Sequence, residues 1–360
     1  MGLHELTVRD FRLFHELHFQ PDPQAVTVLL SPNGTGKSSV LEAVYALATG
    51  GSFRTTNAGD MVRTGSSVAE VHGVLFHHER RLQVDLTITK GVRSTQKRML
   101  INGQRPTSRV DLAAALPLTV FTPEGVDVVR QGPEHRRTFI NHLLDDVVPT
   151  SSQLLERFAR TLTQRNALLR RLTGKRPTSG ERDELDVWTV DLASIGEELA
   201  HERVALLVGL APLVQEYYAA LANNKQVVAV GYERSWRGLL VAALRDIIDD
   251  DLARGHTTLG PHRDDIIVTL DTRDARRQSS QGEQRSLALA LRLAGHELVR
   301  QRRGVEPLLL LDDVFSELDP VRSDRLLDLL PAGQTLVTTA TPLPTRLAPA
   351  AIVDLTTGQP

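Results

Sequence analysis

The residues with the plainest chemical purpose form one short stretch: Ser31, Pro32, Asn33, Gly34, Thr35, Gly36, Lys37, Ser38 and Ser39. A loop of small residues lets successive backbone N–H groups point inward at phosphate oxygens. Lys37 neutralises phosphate charge in such a loop, and the Ser38 hydroxyl can ligate Mg²⁺. Ser31 stands where the usual first glycine belongs, so that turn must be made without a glycine. Far downstream the apolar run Leu308–Leu311 ends in Asp312 and Asp313. A buried strand ending this way places one carboxylate beside a metal and the next where an attacking water sits. A third stretch, Ser280-Gln281-Gly282-Glu283-Gln284, precedes a helical pattern. It reads as a second anion-binding helix N-terminus or as an ordinary N-cap.

These groups need elements to carry them. Val26–Leu30 has the pattern of a buried strand, and Val40, Val44, Leu47 and Ala48 share one face of a helix opened by Thr35-Gly36-Lys37. Alternation across Leu82–Ile88 implies antiparallel strands between about Ala69 and Met99, and Ile101-Asn102-Gly103 is a turn signal. Strands return near Val227, at Ile266–Leu270, at Pro307–Asp312 and at Thr335–Ala340, with a helix over Gln284–Arg300. The middle of the chain differs in kind. Leu155, Phe158, Leu162, Leu169 and Leu172 keep heptad spacing, with Arg165 breaking one core position. After a polar loop, Leu185, Trp188, Leu192, Ile195, Leu199 and Leu206 repeat it. Two such helices make a short antiparallel coiled-coil arm or two core-facing helices of a bundle. Pro212 is expected to end or kink the second.

Composition bounds the rest. A net charge of -2 over 360 residues gives no global nucleic-acid signal, so any such surface must come from local segregation of charge. Zero cysteines exclude disulfides, thiol catalysis and Cys-ligated metal. The twelve histidines, among them His77-His78, His256 and His262, show no helical metal spacing. The N-terminus lacks the apolar stretch of a signal peptide, and the apolar runs fall far below the ~20 residues that cross a bilayer, so a soluble protein is expected. Asp249-Asp250-Asp251 reads as a solvated turn.

Taken together, Ser280–Gln284, Asp312-Asp313 and Ser316-Glu317-Leu318-Asp319 resemble the signature motif, Walker B and D-loop of the ABC/SMC ATPases. Gly51-Ser52-Phe53-Arg54, Phe121-Thr122-Pro123-Glu124, Gly132 through Arg136-Arg137 and Leu259 through Asp265 narrow the resemblance to the RecF family. Spacing agrees: Ser38 and Ser280 stand much farther apart than in transporter modules, yet no long coiled coil intervenes. The resemblance implies an α/β fold, an ABC-type P-loop head made of N- and C-terminal lobes with an inserted helical arm. The expected domains are 1–122 (Walker A lobe), 123–254 (arm) and 255–360 (signature, Walker B and D-loop lobe). It also implies ATP and Mg²⁺ as cofactors, with Ser38 and Asp312 at the metal and Asp313 and Lys37 in catalysis. Ser280, Gln281 and Gly282 would cap the nucleotide of a second copy, and Arg12 would approach the phosphates. The implied partners are duplex and gapped DNA, a homodimer when ATP is bound, and RecR and RecO in loading RecA. The implied location is the cytoplasm, at the nucleoid, with no membrane. The alternative is an ABC/SMC clamp or energy module serving another partner.

Three departures bear on mechanism. Asp313 replaces the usual Glu, and Thr338 and Thr339 occupy the strand end where a switch histidine is typical. The Q-loop residue is open among Glu124, Asp127 and Gln131. Base placement governs proton transfer before pKa does, so slow hydrolysis is expected. For DNA phosphates the candidates are Arg93, Lys97, Arg98, Arg105 and Arg109, and on the arm Arg157, Arg160, Arg165, Arg170, Arg171, Lys175 and Arg176. The arm set reads equally as a solvated helix face.

Overall fold

The computed structural model describes residues 2–77, 80–92, 94–106, 116–341, 344 and 346–355. Arg93, Arg109 and His78 lie outside the described residues. The chain forms two units: residues 1–125, 220–223 and 289–360, and residues 126–219 and 224–288.

In the first unit, strands β1 (Gly2–Phe11), β2 (Phe14–Phe19), β4 (Val68–His77), β5 (Arg80–Lys90) and β6 (Thr95–Ile101) form an antiparallel sheet ordered β2-β1-β4-β5-β6. Its tight turn at Asn102-Gly103 has φ 51° and 78°, which is why those two residue types stand there. The second sheet is parallel and ordered β13-β3-β12-β11-β7, from β3 (Val26–Leu30), β7 (Leu118–Phe121), β11 (Leu308–Asp312), β12 (Thr335–Thr339) and β13 (Ala351–Val353). β3 and β7 precede the inserted residues and the other three follow them. The strands interleave, so neither end of the chain builds this sheet alone. Every residue of β11 and β12 is buried, as expected for continuous apolar strands in a parallel sheet. Helix α1 (Lys37–Thr49) packs against strands of both sheets and is buried almost all round, so its sequence carries little amphipathic contrast.

The second unit contains α2 (Asp127–Arg130), α3 (Pro133–Val147), α4 (Ser151–Leu172) and most of α5 (Ser179–Ala222). It also holds α6 (Leu240–Asp246), α7 (Ile248–Arg254), α8 (Ala275–Gln278) and the antiparallel sheet β10-β9-β8, from β8 (Val228–Glu233), β9 (Asp265–Leu270) and β10 (Arg273–Asp274). The buried face of α4 holds Phe158, Arg165, Leu169 and Leu172 at the positions the heptad spacing gives, while Leu155 and Leu162 are half-buried and their neighbours Leu154 and Thr161 are buried. Leu168, Leu169, Leu172 and Leu185 form one cluster with Trp188, Ile248 and Leu252, so the hairpin packs against α7 as in a bundle. Asp249-Asp250-Asp251 is the first turn of α7 rather than a solvated turn, where acids favour the helix dipole, and Asp251 is buried. Arg165 is fully buried and therefore not a DNA contact.

Pro212 neither ends α5 nor lies near its end; the helix continues ten residues beyond it. α5 is long and apolar enough over one 18-residue window to cross a membrane. Its periodic buried face (Leu199, Leu206, Leu210, Val214) and the buried Arg203 make it a helix of the protein's own core. The division also differs from the expected boundary at 255. Residues 255–288 group with the second unit, because β9 pairs with β8 and Asp265 pairs with Arg136.

Candidate nucleotide-binding site

β3 ends at Leu30, and the chain turns through Ser31–Gly36 before α1 begins at Lys37. Gly34 and Gly36 have φ 85° and 99°, conformations that residues with a Cβ rarely adopt. At Gly36 a Cβ would also lie 2.6 Å from Cζ of Phe14, so that ring would have to move aside. Gly36 is the N-cap of α1 without a side-chain cap; the Ser39 N–H donates to the Gly36 carbonyl at 2.8 Å, which leaves the N–H groups of Lys37 and Ser38 for another acceptor. Ser31 makes its turn by a different device. Its hydroxyl donates to Asp354 Oδ1 at 3.0 Å and accepts from the Leu355 N–H at 2.9 Å, tying the loop to the segment after β13.

β12 lies between β3 and β11, and its register sets Thr338 beside Asp312 on one side and Leu29 on the other. The ends of the three strands therefore gather Lys37, Ser38, Asp312 and Thr338. Lys37 Nζ donates to the Pro32 carbonyl at 2.7 Å and also to that of Ser31. Asp312 Oδ1 accepts from the Ser38 hydroxyl and from the Thr338 hydroxyl, both at 2.7 Å. Asp313 has φ 50°, its N–H donates to Thr338 Oγ1 at 3.0 Å, and its Oδ1 is buried without a partner. Burial lowers the Lys37 ammonium pKa, against the pull of Asp313 and Asp312. Burial likewise raises that of Asp312, against its hydroxyl donors. Each charged form thus lacks compensation from solvent, which a polyanion and a cation would supply.

Ser38 and Asp312 are the pair that could hold a divalent cation. Among the described residues no cluster of three or more His, Asp or Glu could hold one unaided. A cation here would draw its remaining oxygens from phosphate and water. Beyond β11, the Ser316 hydroxyl donates to the Asp313 carbonyl at 2.8 Å, and Asp319 caps α10 (Pro320–Asp328) by accepting the Arg322 N–H. That bond holds the Asp319 carboxyl below the usual range.

Arg12 has φ 53°, and its guanidinium donates to Glu42 at 2.8 Å and to the Asp60 carbonyl at 2.6 Å. Glu42 is fully buried on α1 and also accepts from Ser52 and Arg54. Arg54 reaches Ser39 Oγ at 3.5 Å. The role of Glu42 was not read from the sequence. The available signal was an acid inside the apolar stretch Val40–Val44, which is stable only if paired.

In the second unit Ser280 and Glu283 form a capping box at the start of α9 (Gln281–Arg303). The Ser280 N–H donates to Glu283 at 2.7 Å, and the Glu283 N–H donates to Ser280 Oγ at 3.3 Å. The first of these bonds lowers the Glu283 pKa. Gln281 and Gly282 occupy the first turn of that helix. The two runs at 132–137 and 259–265 prove to be halves of one structural knot. Arg136 grips Asp265 through two 2.8 Å bonds, and Arg137 donates to the Asp264 carbonyl. Asp264 takes the Tyr232 hydroxyl and the Ser235 N–H, while Arg203 binds the Pro261 carbonyl at 2.7 Å and Asn141.

A profile of the RecF/RecN/SMC N-terminal domain matches residues 2–351. The DNA replication and repair protein RecF of Acidothermus cellulolyticus is 36% identical over 353 residues, covering 94% of each chain. That of Frankia alni is 38% identical over 359 residues, covering 94% of this chain and 93% of its own. The chain belongs to the RecF family. The solved structure of the recombination mediator protein RecF-ATPrS in the RecFOR pathway superposes with a TM-score of 0.87 at 25% identity, covering 98% of this chain and 97% of that one. The SmcHead bound to the C-winged helix domain of ScpA, at 14% identity and a TM-score of 0.55, shares the head fold. The RecF family thus supplies an ABC/SMC-type ATPase head and a setting in DNA replication and repair.

Proposed function

We propose that this protein is an ATP-driven dimeric clamp of recombinational repair. In this reading two copies enclose ATP, grip DNA at gaps, and hydrolyse the nucleotide slowly to reset. The observation that carries it is the convergence of Lys37, Ser38, Asp312 and Asp313 at the ends of adjacent parallel strands. Lys37 and the α1 N-terminus take the β- and γ-phosphates. The hydroxyl and carboxylate of Ser38 and Asp312 suit Mg²⁺, which keeps few protein ligands beside phosphate. Bound there, Mg²⁺ would neutralise charge developing on the phosphates. The unpartnered Oδ1 of Asp313 orients the attacking water. Asp in place of Glu and Thr339 at the strand end favour slow turnover. Ser280, Gln281 and Gly282 of a second copy cover the γ-phosphate, using the helix N-terminus that the capping box aims.

Arg157, Arg160, Arg170, Lys175 and Arg176 are exposed and offer a surface to duplex phosphates, as do Arg98 and Arg105. Lys97 is also exposed, although its ammonium is held by the Gly50 carbonyl at 2.6 Å. By kinship with RecF proteins, we further assign it to the nucleoid, with RecR and RecO as partners in loading RecA. Size measurement with ATP tests the clamp. Wild type should dimerise, and Ser280→Arg should bind ATP yet remain monomeric. Normal dimerisation of the variant would end the inter-subunit reading.

A further inference from the structure

Thr338 is fully buried, yet the proposed function gives it no part. It is a polar residue in a strand buried at every position, where an apolar side chain would fill the same volume. Its hydroxyl both donates and accepts. It donates to Asp312 Oδ1 at 2.7 Å and accepts the Asp313 N–H at 3.0 Å, while the Thr338 carbonyl accepts the same N–H at 3.1 Å. One side chain therefore touches both acids at the end of β11. The geometry follows from register, because parallel neighbours paired as Asp312 and Thr338 project from the same face of the sheet.

The second contact has a conformational consequence. Asp313 adopts φ 50° and ψ 29°, a left-handed conformation unfavourable for a residue with a Cβ. That backbone persists only if the surroundings hold it; the N–H bond shared by the Thr338 hydroxyl and carbonyl holds one side of the residue, and the Ser316 hydroxyl on its carbonyl holds the other. The carboxylate that this backbone carries has a buried Oδ1 with no hydrogen-bond partner.

We propose that Thr338 is a positioning residue for hydrolysis. It sets the two acids in one fixed relation, Asp312 toward the cation and Asp313 toward water. This rests on the nucleotide-site reading above. Groups that orient a metal ligand or a base from behind commonly change affinity or rate by about 10- to 100-fold when removed.

The test compares Thr338→Val, which keeps the branched shape and removes the hydroxyl, with Thr338→Ser, which keeps the hydroxyl. Asp313→Asn serves as control. ATP turnover is measured with its KM, and Mn²⁺ affinity is read by electron paramagnetic resonance with a non-hydrolysable ATP analogue. We expect Thr338→Val to lose about 10- to 100-fold in kcat, with KM within a few-fold and weaker Mn²⁺ binding. Thr338→Ser should restore most of both. If Thr338→Val hydrolyses like wild type while Asp313→Asn does not, the positioning role is wrong and the site stands. If Asp313→Asn hydrolyses normally, the site reading itself is wrong. Equal loss in the Val and Ser variants would assign Thr338 to packing and overturn the proposal.

Discussion

Both units bury acids, but they use them differently. In the second unit Asp264 and Asp265 have their hydrogen-bonding capacity consumed by Arg136, Tyr232, Ser235 and the strand backbone. Asp251 is likewise taken up by Arg165 and by Thr258. In the first unit Asp313 keeps a buried carboxylate oxygen with no partner, and Lys37 spends its donors only on carbonyls of its own loop. A buried charge is therefore not in itself a sign of ligand chemistry. Unused capacity alone does not mark a ligand site either, since Arg165 Nη2 and His262 Nδ1 in the second unit are also buried without a partner. What marks the nucleotide site is an unpartnered carboxylate oxygen beside Asp312, Ser38 and the glycine loop of Lys37.

The sharpest way to break this contrast is to neutralise one acid on each side. Asp313→Asn should cut hydrolysis by about 100- to 10,000-fold, the range for removing a positioned base, while ATP binding survives. Asp264→Asn should leave nucleotide binding intact and lower thermal stability. Equal loss of ATP binding in both variants would erase the distinction.

Next in size is the buried ion pair in the second unit, in which Arg165 Nη2 has no partner. Arg165 and Asp251 are both fully buried, with Nη1 2.7 Å from Oδ2. Asp251→Ala would strand a buried guanidinium and should cost about 3–5 kcal/mol of unfolding free energy. Arg165→Met with Asp251→Leu should cost far less, because an apolar replacement of both partners leaves no uncompensated charge. Denaturant titration of the three proteins checks this. A double variant as unstable as the single one would show that the pair does more than satisfy itself.

His262 gives the contrast a pH axis. Burial pushes its pKa down to about 4, against the Thr257 carbonyl that its ring N–H meets. The folded value is depressed below the unfolded one, so its contribution is complete above about pH 6.5 and is lost as pH falls toward 4. Unfolded chains bind the proton there and folded ones do not. The loss should reach roughly 3 kcal/mol, and His262→Gln should flatten that limb of the stability curve. Nucleotide affinity should not follow the same curve.

How much of this was legible beforehand depended on range. Val26–Leu30, Lys37, Asp312 and Thr335–Ala340 carry their signals within a few residues, and the structure places them on the elements read, the last strand ending one residue earlier at Thr339. The arm pattern held at Phe158, Leu169 and Leu172, but Arg165 looks like a defect in a heptad because its partners, Asp251, Thr189 and Thr257, lie 24 to 92 positions away. The same distance hid Glu42 with Arg12, and Asp264-Asp265 with Arg136-Arg137. Local pattern gives elements and loops; pairings between distant polar residues become visible only in three dimensions.

The smallest expected effect concerns the first residue of the phosphate loop. A glycine at position 31 would turn freely, but Ser31 substitutes a hydroxyl that links Asp354 and Leu355 to the loop and is 4% exposed. Removing one such bond typically costs about 0.5–1.5 kcal/mol. Part of that should appear as weaker ATP binding, since the Ser31 carbonyl also accepts from Lys37. Ser31→Ala is therefore expected to raise the Kd for ATP by about 2- to 10-fold, with Asp354→Ala in the same direction. Their combination should be less than additive if one bond carries both effects. Fully additive losses would mean that the tail and the loop act on the nucleotide separately, and the link would then be a packing contact of no functional consequence.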